Sequence, residues 1–260
     1  MTDLALLKRV PPGAIGHNRG VVRHNYAFIP PEGVLVSRLP QYANTTVRFL
    51  AAPSLGAKFA QFVLEIDAGG GTAAPFAEDV QTFFYVLSGA ATLSIGGAVH
   101  ELQAGGYAYL PPATSFTLKA RNGPSRVLGL RKRWQPAPGL TPPPAFTGQR
   151  DDAKQTNHTG LQGRGFIHLT GYGDMRHDFE MNLMYFDPGT CFPAVETHIM
   201  EHGLYMLEGQ GLYFLGEEWH EIWAGDFIWM GSYCPQQFYP TGYDRAVYLL
   251  YKDVNRDVAL

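Results

Sequence analysis

The stretch Glu196-Thr197-His198-Ile199-Met200-Glu201-His202 holds the densest group of possible metal ligands in the chain. Because successive side chains of a β-strand point to opposite faces, Glu196, His198 and His202 would share one face of a strand. In an α-helix the first two would lie roughly 200° apart around the axis and could not reach one ion. The spacing therefore predicts a strand, with a bend, that directs three ligands to one side.

The flanking segments have the composition of strands and tight turns. Residues 182–186 lead into a turn at 187–189, and residues 204–207 lead into a second turn at 208–211. No long helix fits between them. Further along the chain, Gln236 would reach the same site from a neighbouring strand as a fourth ligand.

The composition favours an all-β protein with a substantial core. Of the 260 residues, 45% are hydrophobic and 17% are charged, and the chain contains 30 Gly, 19 Pro, 14 Tyr and 16 Phe. The 20 Lys and Arg against 23 Asp and Glu give a formal charge of -3, so no positive excess indicates a nucleic acid or an anionic membrane as partner. We expect neither, and small neutral or anionic ligands remain open.

Cysteine usage and the N-terminal segment predict a cytoplasmic protein. Cys191 and Cys234 are the only cysteines and suggest no disulfide framework, so we interpret them as small buried side chains. Residues 1–20 carry charges and no sustained apolar run, which argues against a secretory signal, and no segment approaches a membrane span.

An internal repeat divides the chain. Residues 65–69 resemble 185–189, and residues 85–89 resemble 205–209, in both cases 120 positions later. A third pair, 106–112 and 225–231, is offset by 119. The repeat predicts two tandem β-barrels.

The first repeat lacks the ligands of the second. Its positions matching Glu196, His198, His202 and Gln236 are Phe76, Glu78, Thr82 and Thr117. One carboxylate cannot anchor a metal alone. We therefore predict an N-terminal arm with edge strands (1–45), a metal-free barrel (46–134), a Pro- and Gly-rich linker (135–164) and a barrel with the metal site (165–260).

The glycines around the ligands carry a resemblance to the cupin superfamily. The places of its first motif are held, with Glu and His exchanged, by Gly189, Glu196, His198, His202 and Gly209. The places of its second motif are held, again with substitutions, by Gly225, Gly231, Tyr233 and Gln236. This resemblance implies a bicupin, that is, two tandem double-stranded β-helix (jelly-roll) barrels.

The permuted ligand set of two His, one Glu and one Gln resembles the (S)-ureidoglycine aminohydrolase family of bicupins. Residues 248–257 and 196–203 also look like that family, and the resemblance covers nearly the whole chain. It implies hydrolysis of (S)-2-ureidoglycine to (S)-ureidoglycolate and ammonia in purine (allantoin) degradation. Cupins often assemble through exposed barrel edges, so a homo-oligomer is expected.

The ligand types restrict the metal. Two imidazoles, a carboxylate and an amide oxygen, without thiolate, suit six-coordinate Mn, Fe or Ni better than tetrahedral zinc, and they leave two positions open. The resembled family uses Mn(II), which is the cofactor that we expect.

Three further side chains are expected to line the substrate site. Tyr248 and Lys252 share strand parity and would both face into the barrel, where a substrate carboxylate would compensate the lysine charge. Tyr213 would add a phenol, although from position alone a buried structural tyrosine is equally consistent. The resemblance implies substrate contacts at these three positions, together with Glu196 and Gln236.

Glu196 and Lys252 are the predicted catalytic residues. Glu196, at the metal and able to exchange protons, would serve the departing amine or the incoming water. Lys252 would neutralise the carboxylate of the substrate.

Residues 198–202 also spell His-x-x-Glu-His, an inverted zinc-protease motif, but that motif needs a helix, and Pro193 and Gly203 argue against one. In a barrel, Glu201 would point away from the metal. A cupin dioxygenase using Fe or Ni and a non-catalytic ligand-binding bicupin remain as alternatives. Six other histidines are interpreted as ordinary polar residues: His24, His100, His158, His168, His177 and His220.

Overall fold

The computed structural model describes residues 19–157, 160–253 and 255–256, and these residues are mostly β-strand. They contain no α-helix, only short 3-10 turns at Pro31–Gly33, Pro53–Leu55 and Arg150–Asp152. Within the same residues no helix is long and apolar enough to cross a membrane. The predicted all-β class is confirmed.

The first part of the chain contributes strands to two sheets. Its described strands are β1 (Val21–Val22), β2 (Tyr26–Ile29), β3 (Val36–Ser37), β4 (Tyr42–Ala51), β5 (Ala60–Thr72), β6 (Gln81–Ser88), β7 (Ala90–Ile95), β8 (Ala98–Gln103), β9 (Gly106–Leu110), β10 (Phe116–Ala120), β11 (Ser125–Lys132) and β12 (Phe146–Gln149).

The second part repeats this arrangement. Its described strands are β13 (Lys154–Thr156), β14 (Arg164–Thr170), β15 (Glu180–Phe186), β16 (His202–Glu208), β17 (Gln210–Leu215), β18 (Glu218–Trp223), β19 (Phe227–Met230), β20 (Gln236–Pro240) and β21 (Ala246–Lys252). Strands β17, β18 and β20 have the bounds of β7, β8 and β10 displaced by 120 positions, so the sequence repeat is a structural repeat.

All strand pairs are antiparallel, and the sheets curve into two barrels. A ten-stranded sheet has the order β12-β9-β6-β11-β5-β10-β7-β8, with β4 added to β5 and β3 to β4. An eight-stranded sheet has the order β1-β2-β19-β16-β21-β15-β14-β13, and β18-β17-β20 form a third sheet. The first barrel therefore closes around β4–β11, and the second around β14–β21.

Alternation along the strands produces three apolar cores. On β21, Tyr248 and Leu250 pack inside the second barrel, whereas Val247, Leu249 and Tyr251 pack between the barrels. Buried residues from both barrels form that intervening core, and a separate cluster fills the first barrel. Because each of these strands is buried on both faces, the site in the second barrel rests on a rigid wall.

A buried ion pair also joins the barrels. Lys132 Nζ of β11 lies 2.6 Å from Asp178 Oδ2, and both side chains are fully buried. The other oxygen of Asp178 accepts a 2.6 Å hydrogen bond from Gln81 Nε2, and Tyr109 donates to Oε1 of Gln81. These directional contacts favour one orientation of the barrels.

The arm and the linker region exchange strands with the barrels. Strand β2 pairs with β19, so the first two strands of the arm extend the sheet of the second barrel, with β1 at its edge, whereas β3 pairs with β4 of the first barrel. In the region predicted as linker, residues 133–145 contain no strand, but β12 pairs with β9 and β13 with β14. Residues 1–18 and His158 lie outside the described residues.

Candidate metal centre and substrate cavity

The ligand stretch runs beside the start of β20. Glu196 and Gln236 form an isolated bridge and exchange backbone hydrogen bonds of 2.8 and 2.9 Å. The chain bends at Ile199 and joins β16 only at His202. The predicted bent strand therefore has strand pairing only at Glu196 and at His202. Between these residues, the carbonyl of His198 accepts a hydrogen bond from the backbone N–H of Tyr233, and the chain then crosses from the sheet of β20 to that of β16.

Three of the predicted ligands converge. His202 Nε2 lies 3.4 Å from His198 Nε2, and Gln236 Nε2 donates to His198 Nε2 at 2.6 Å. His202 Nδ1 donates to the carbonyl of Tyr251 at 3.1 Å, so Nε2 of His202 carries the lone pair. A backbone contact that orients the far side of an imidazole in this way is typical of metal-binding histidines.

Both imidazoles are neutral at pH 7. Burial lowers the pKa of His202 to about 3, and burial also lowers the pKa of His198. Neutral imidazole is the form that binds metal ions. Rotating the side-chain amide of Gln236 by a half-turn would direct Oε1, in place of Nε2, toward the two imidazoles without moving the backbone. The donor set therefore fits a divalent metal.

Glu196 lines the same cavity but stands apart from the two rings. Within the described part of the chain, no three His, Cys, Asp or Glu side chains cluster closely enough to hold a metal ion. Burial raises the pKa of the Glu196 carboxyl, and the charge of Arg164 opposes that rise. The group that the structure brings together is thus His198, His202 and Gln236, with Glu196 in the adjoining wall.

A cavity of about 380 Å³ opens above these residues. Its wall includes every side chain predicted for the site, namely Glu196, His198, His202, Tyr213, Gln236, Tyr248 and Lys252. Apolar side chains such as Met184, Phe192 and Leu250 fill the space between the polar groups. An apolar cavity with a few convergent polar groups is the usual form of a small-molecule site.

The two predicted tyrosines lie deep in this wall. Tyr213 and Tyr248 are almost completely buried, and their rings meet edge to face with centroids 6.4 Å apart. Burial raises the pKa of both phenols, so both stay protonated at neutral pH. The Tyr248 hydroxyl donates to Sδ of Met184 at 3.2 Å, a weak acceptor that a stronger one would replace.

Lys252 has a protein partner that the sequence reasoning missed. Its Nζ lies 2.7 Å from Oε2 of Glu180. The same carboxylate oxygen accepts from Asn182 Nδ2 at 3.2 Å, Asn182 Oδ1 contacts His168 Nδ1 at 3.1 Å, and His168 Nε2 contacts Thr156 Oγ1 at 2.7 Å. A chain of polar side chains therefore holds the lysine in place. His168, interpreted from sequence as an ordinary polar residue, belongs to this chain and lines the cavity.

Arg164 is a second cation that the sequence reasoning did not assign to the site. It begins β14, its residue is only 4% exposed, and it lines the cavity. Its Nη1 donates to the carbonyl of Cys191 at 3.3 Å, and its guanidinium lies 4.8 Å from the ring centre of Phe192. Arg164 is the last residue of the predicted linker, and nothing in the sequence indicated that it would be buried.

Glu201 points away from the cavity, as predicted. Its buried carboxylate accepts from Trp229 Nε1 at 2.8 Å and from the backbone of Lys58 in the first barrel at 3.1 Å. No helix runs through residues 198–202, so the protease motif lacks the conformation that it needs.

Aromatic rings fill the corresponding position of the first barrel. The isolated bridge Phe76↔Phe116 is the counterpart of Glu196↔Gln236, and its two rings lie 4.8 Å apart. The predicted counterpart of Gln236, Thr117, is therefore wrong by one residue, because the strand register places Phe116 there. Glu78 forms an ion pair with Arg131. Neither phenylalanine at this bridge offers an atom that binds a metal ion.

Comparison with known proteins identifies the family. The chain is 32% identical over 247 residues to (S)-ureidoglycine aminohydrolase of Escherichia coli (strain K12), covering 94% of each chain. The chain belongs to the (S)-ureidoglycine aminohydrolase family. The cupin domain family model matches residues 62–128, within the first barrel. The family resemblance inferred from the ligand motifs is confirmed.

Solved structures support the fold of this (S)-ureidoglycine aminohydrolase family member. Protein Ylba from E. coli superimposes with a TM-score of 0.83 at 31% identity, covering 94% of this chain and 97% of that one. Oxalate decarboxylase from Bacillus subtilis, described with Mn(II) centres, has a TM-score of 0.70 at 12% identity, covering 92% and 79%. At that identity the likeness shows the fold alone, and it confirms the two-barrel cupin architecture.

Proposed function

We propose that the chain is a metal-dependent hydrolase that converts (S)-2-ureidoglycine and water to (S)-ureidoglycolate and ammonia in purine (allantoin) degradation. The observation that carries the proposal is the convergence of two neutral imidazoles and an amide beside a cavity that also holds a cation and two phenols. Its chemistry suits a small anionic ureido compound, and the family relationship supplies the substrate.

The metal is held, in this proposal, by Glu196, His198, His202 and Gln236. The donor types suit Mn(II), and cupins bind metals generally. When bound, the ion supplies a Lewis-acidic centre with open positions that orients the substrate. Binding of the ion by Glu196 requires its carboxylate to move from the cavity wall toward the two rings.

In the overall reaction, a C–N bond to the amine breaks, and a C–O bond to water forms. One proton of the water ends on the departing amine, which leaves as ammonia. Glu196, held at the metal in this proposal, is the group proposed to accept this proton and to return it to the amine nitrogen. No other carboxylate of the described cavity is free for this role, because Glu180 is paired with Lys252.

The remaining polar side chains bind the substrate. Lys252 has three N–H donors, of which Glu180 takes one, so others are available to a carboxylate oxygen of the substrate. The protonated phenols of Tyr213 and Tyr248 donate hydrogen bonds to ureido or carboxylate oxygens. Gln236 and Glu196 contact the substrate next to the metal.

Ammonia release from freshly generated ureidoglycine tests the proposal. We expect the wild-type protein with Mn(II) to release ammonia far faster than the spontaneous background, and His202→Ala to remain at background. Oxygen uptake, measured in parallel, distinguishes a dioxygenase. The proposal fails if wild-type protein with metal is no faster than the background.

We also propose a cytoplasmic homo-oligomer. Both cysteines are free, which suits a reducing compartment, and β1 forms a sheet edge with the exposed side chain of Val22. Light scattering coupled to size exclusion measures the mass in solution, and a monomer at micromolar concentration contradicts the oligomer.

A further inference from the structure

The described wall of the cavity contains two permanent cations, Arg164 and Lys252, and two carboxylates, Glu180 and Glu196. Lys252 and Glu180 are paired at 2.7 Å, so their charges largely cancel. The balance of charge at the cavity wall therefore depends on Arg164 and Glu196.

Arg164 has no carboxylate within ion-pairing distance among the residues that the structure describes. Its visible partners are one backbone carbonyl, that of Cys191, and the ring of Phe192. A guanidinium has five N–H donors in a planar fork, and the Glu196 carboxyl, on which the charge of Arg164 acts from a distance, takes none of them. Most of its hydrogen-bonding capacity is thus available to a ligand in the cavity.

The backbone holds this guanidinium on a rigid support. The carbonyl of Gly163, just before Arg164, accepts hydrogen bonds from Asp187 N at 2.6 Å and from Thr190 Oγ1 at 3.3 Å. Arg164 itself pairs with Phe186 in the β14–β15 ladder. The charge is therefore positioned before a ligand binds, which lowers the entropic cost of binding.

We propose that Arg164 is the charge partner of the substrate carboxylate and makes the site selective for anionic over neutral ureido compounds. The inference rests on the proposed function and deepens it. The planar fork of arginine matches a carboxylate with two parallel hydrogen bonds. Lys252, already paired with Glu180, then contributes a hydrogen bond rather than the compensating charge.

Two stable ligands that differ only in charge test the inference. Ureidoacetate carries the carboxylate, and its carboxamide is neutral; neither has an amine to release. Calorimetry with Mn(II)-loaded protein gives the ratio of their dissociation constants. We expect the wild type to prefer ureidoacetate by about 10- to 100-fold, the range of charge-assisted hydrogen bonds. Arg164→Met should lower this preference to within about threefold of unity.

Three further variants show whether a change in the preference for ureidoacetate comes from the charge of Arg164. Arg245→Met makes the same substitution at an exposed arginine that lies over the ring of Tyr185, and it should leave the preference unchanged. Arg164→Lys keeps the charge and should retain part of the preference. Lys252→Met should weaken both ligands while the preference for the anion persists.

The inference is overturned if Arg164→Met keeps the preference, or if Lys252→Met abolishes it. Should Arg164→Met fail to fold, side-chain ¹⁵N resonances of the wild type decide: the Arg164 guanidinium signal must shift with ureidoacetate and not with the carboxamide. Wild-type ammonia release separates the two proposals. If the wild type releases ammonia but Arg164→Met leaves the preference for the anion unchanged, only this inference is refuted. If the wild type does not release ammonia above the background, the proposed function is refuted.

Discussion

Lys252 is the cross-strand neighbour of both Glu180 and the candidate metal ligand His202. It pairs with Glu180 on β15 and with His202 on β16, so the three side chains form a row on one face of the sheet. The register of a single strand, β21, thus sets the distance between the ammonium group and the proposed metal centre. Any change of Lys252 therefore acts on a position that the sheet determines rigidly.

Replacing Lys252 with Met should give a folded, metal-loaded and nearly inactive protein. The substitution removes the N–H donors for the substrate, and we expect kcat/KM for ammonia release to fall about 100-fold, the equivalent of one charge-assisted hydrogen bond lost. Metal content and thermal unfolding are the controls. Adding Glu180→Gln should restore stability, because it removes the orphaned carboxylate, without restoring activity. Retained turnover would remove Lys252 from the site.

Asn182→Leu tests the polar chain behind Lys252. Without the amide, the Glu180 carboxylate loses a 3.2 Å hydrogen bond and the lysine loses its alignment. We expect kcat to fall about 10-fold, the scale of supporting hydrogen bonds around a site, with metal content unchanged. Met181→Leu, one residue away but facing the core between the barrels, is the matched control. Equal kinetics for the two variants would argue against a positioning role.

His202→Ala should lose the metal. Substituting a residue that merely orients a ligand typically costs 10- to 100-fold in metal affinity, and we expect removing a ligand to cost about 100-fold or more. The Mn content after dialysis is the measurement. His220→Asn, a histidine that stacks on Phe28 away from the cavity, should keep full occupancy. A stoichiometric Mn content in His202→Ala would place the metal elsewhere.

The ion pair between the barrels predicts a large effect on stability. In Lys132→Met, the buried Asp178 loses its cation, and the free energy of unfolding should fall by about 3–5 kcal/mol. The double variant Lys132→Met/Asp178→Asn should recover part of this loss, because an amide needs no counter-charge and still accepts from Gln81. Urea unfolding of both variants gives the comparison, and equal stabilities would show that the charge of Asp178 is compensated elsewhere.

Packing between the barrels is also tight at Gly203. A Cβ at this position would lie 2.4 Å from Oε1 of Gln61 and 2.7 Å from the ring of Phe59. We expect Gly203→Ala to destabilise the protein by about 1–3 kcal/mol, the usual cost of overpacking. Combining it with Gln61→Ala should relieve most of the effect, whereas additive losses would mean that another contact is responsible.

His177 predicts how stability depends on pH. Burial lowers its pKa below the ordinary value of about 6.5, so the unfolded chain binds a proton more readily than the folded one. Stability should therefore fall as the pH drops below about 6.5. Replacing His177 with Gln should reduce this loss between pH 7 and 5, because the other histidines remain in both proteins. Identical pH profiles would exclude His177 as a contributor.

Much of the fold was predictable because its signals are local or periodic. The 120-residue repeat predicted two barrels, and the parity of Tyr248 and Lys252 placed both on the cavity face of one strand. Thr117 was matched wrongly to Gln236, since a one-residue register shift leaves no trace in composition. The strand predicted through His198 is mostly a bent loop. Its backbone hydrogen bonds go to Tyr233 and Gln236, which are distant in the sequence, so local composition did not reveal them.

By itself, the sequence determined the fold class, the tandem repeat and the residues Glu196, His198, His202 and Gln236 as candidate ligands, because alternation and spacing are written along the chain. Only the tertiary structure decided that Glu180 neutralises Lys252, that His168 belongs to the cavity, and that Arg164 is buried there with no carboxylate of the described residues in ion-pair contact. Those relationships depend on which strands lie side by side and in which register. Register is set by hydrogen bonding and side-chain packing between strands that are distant along the chain, and no short stretch of sequence contains it.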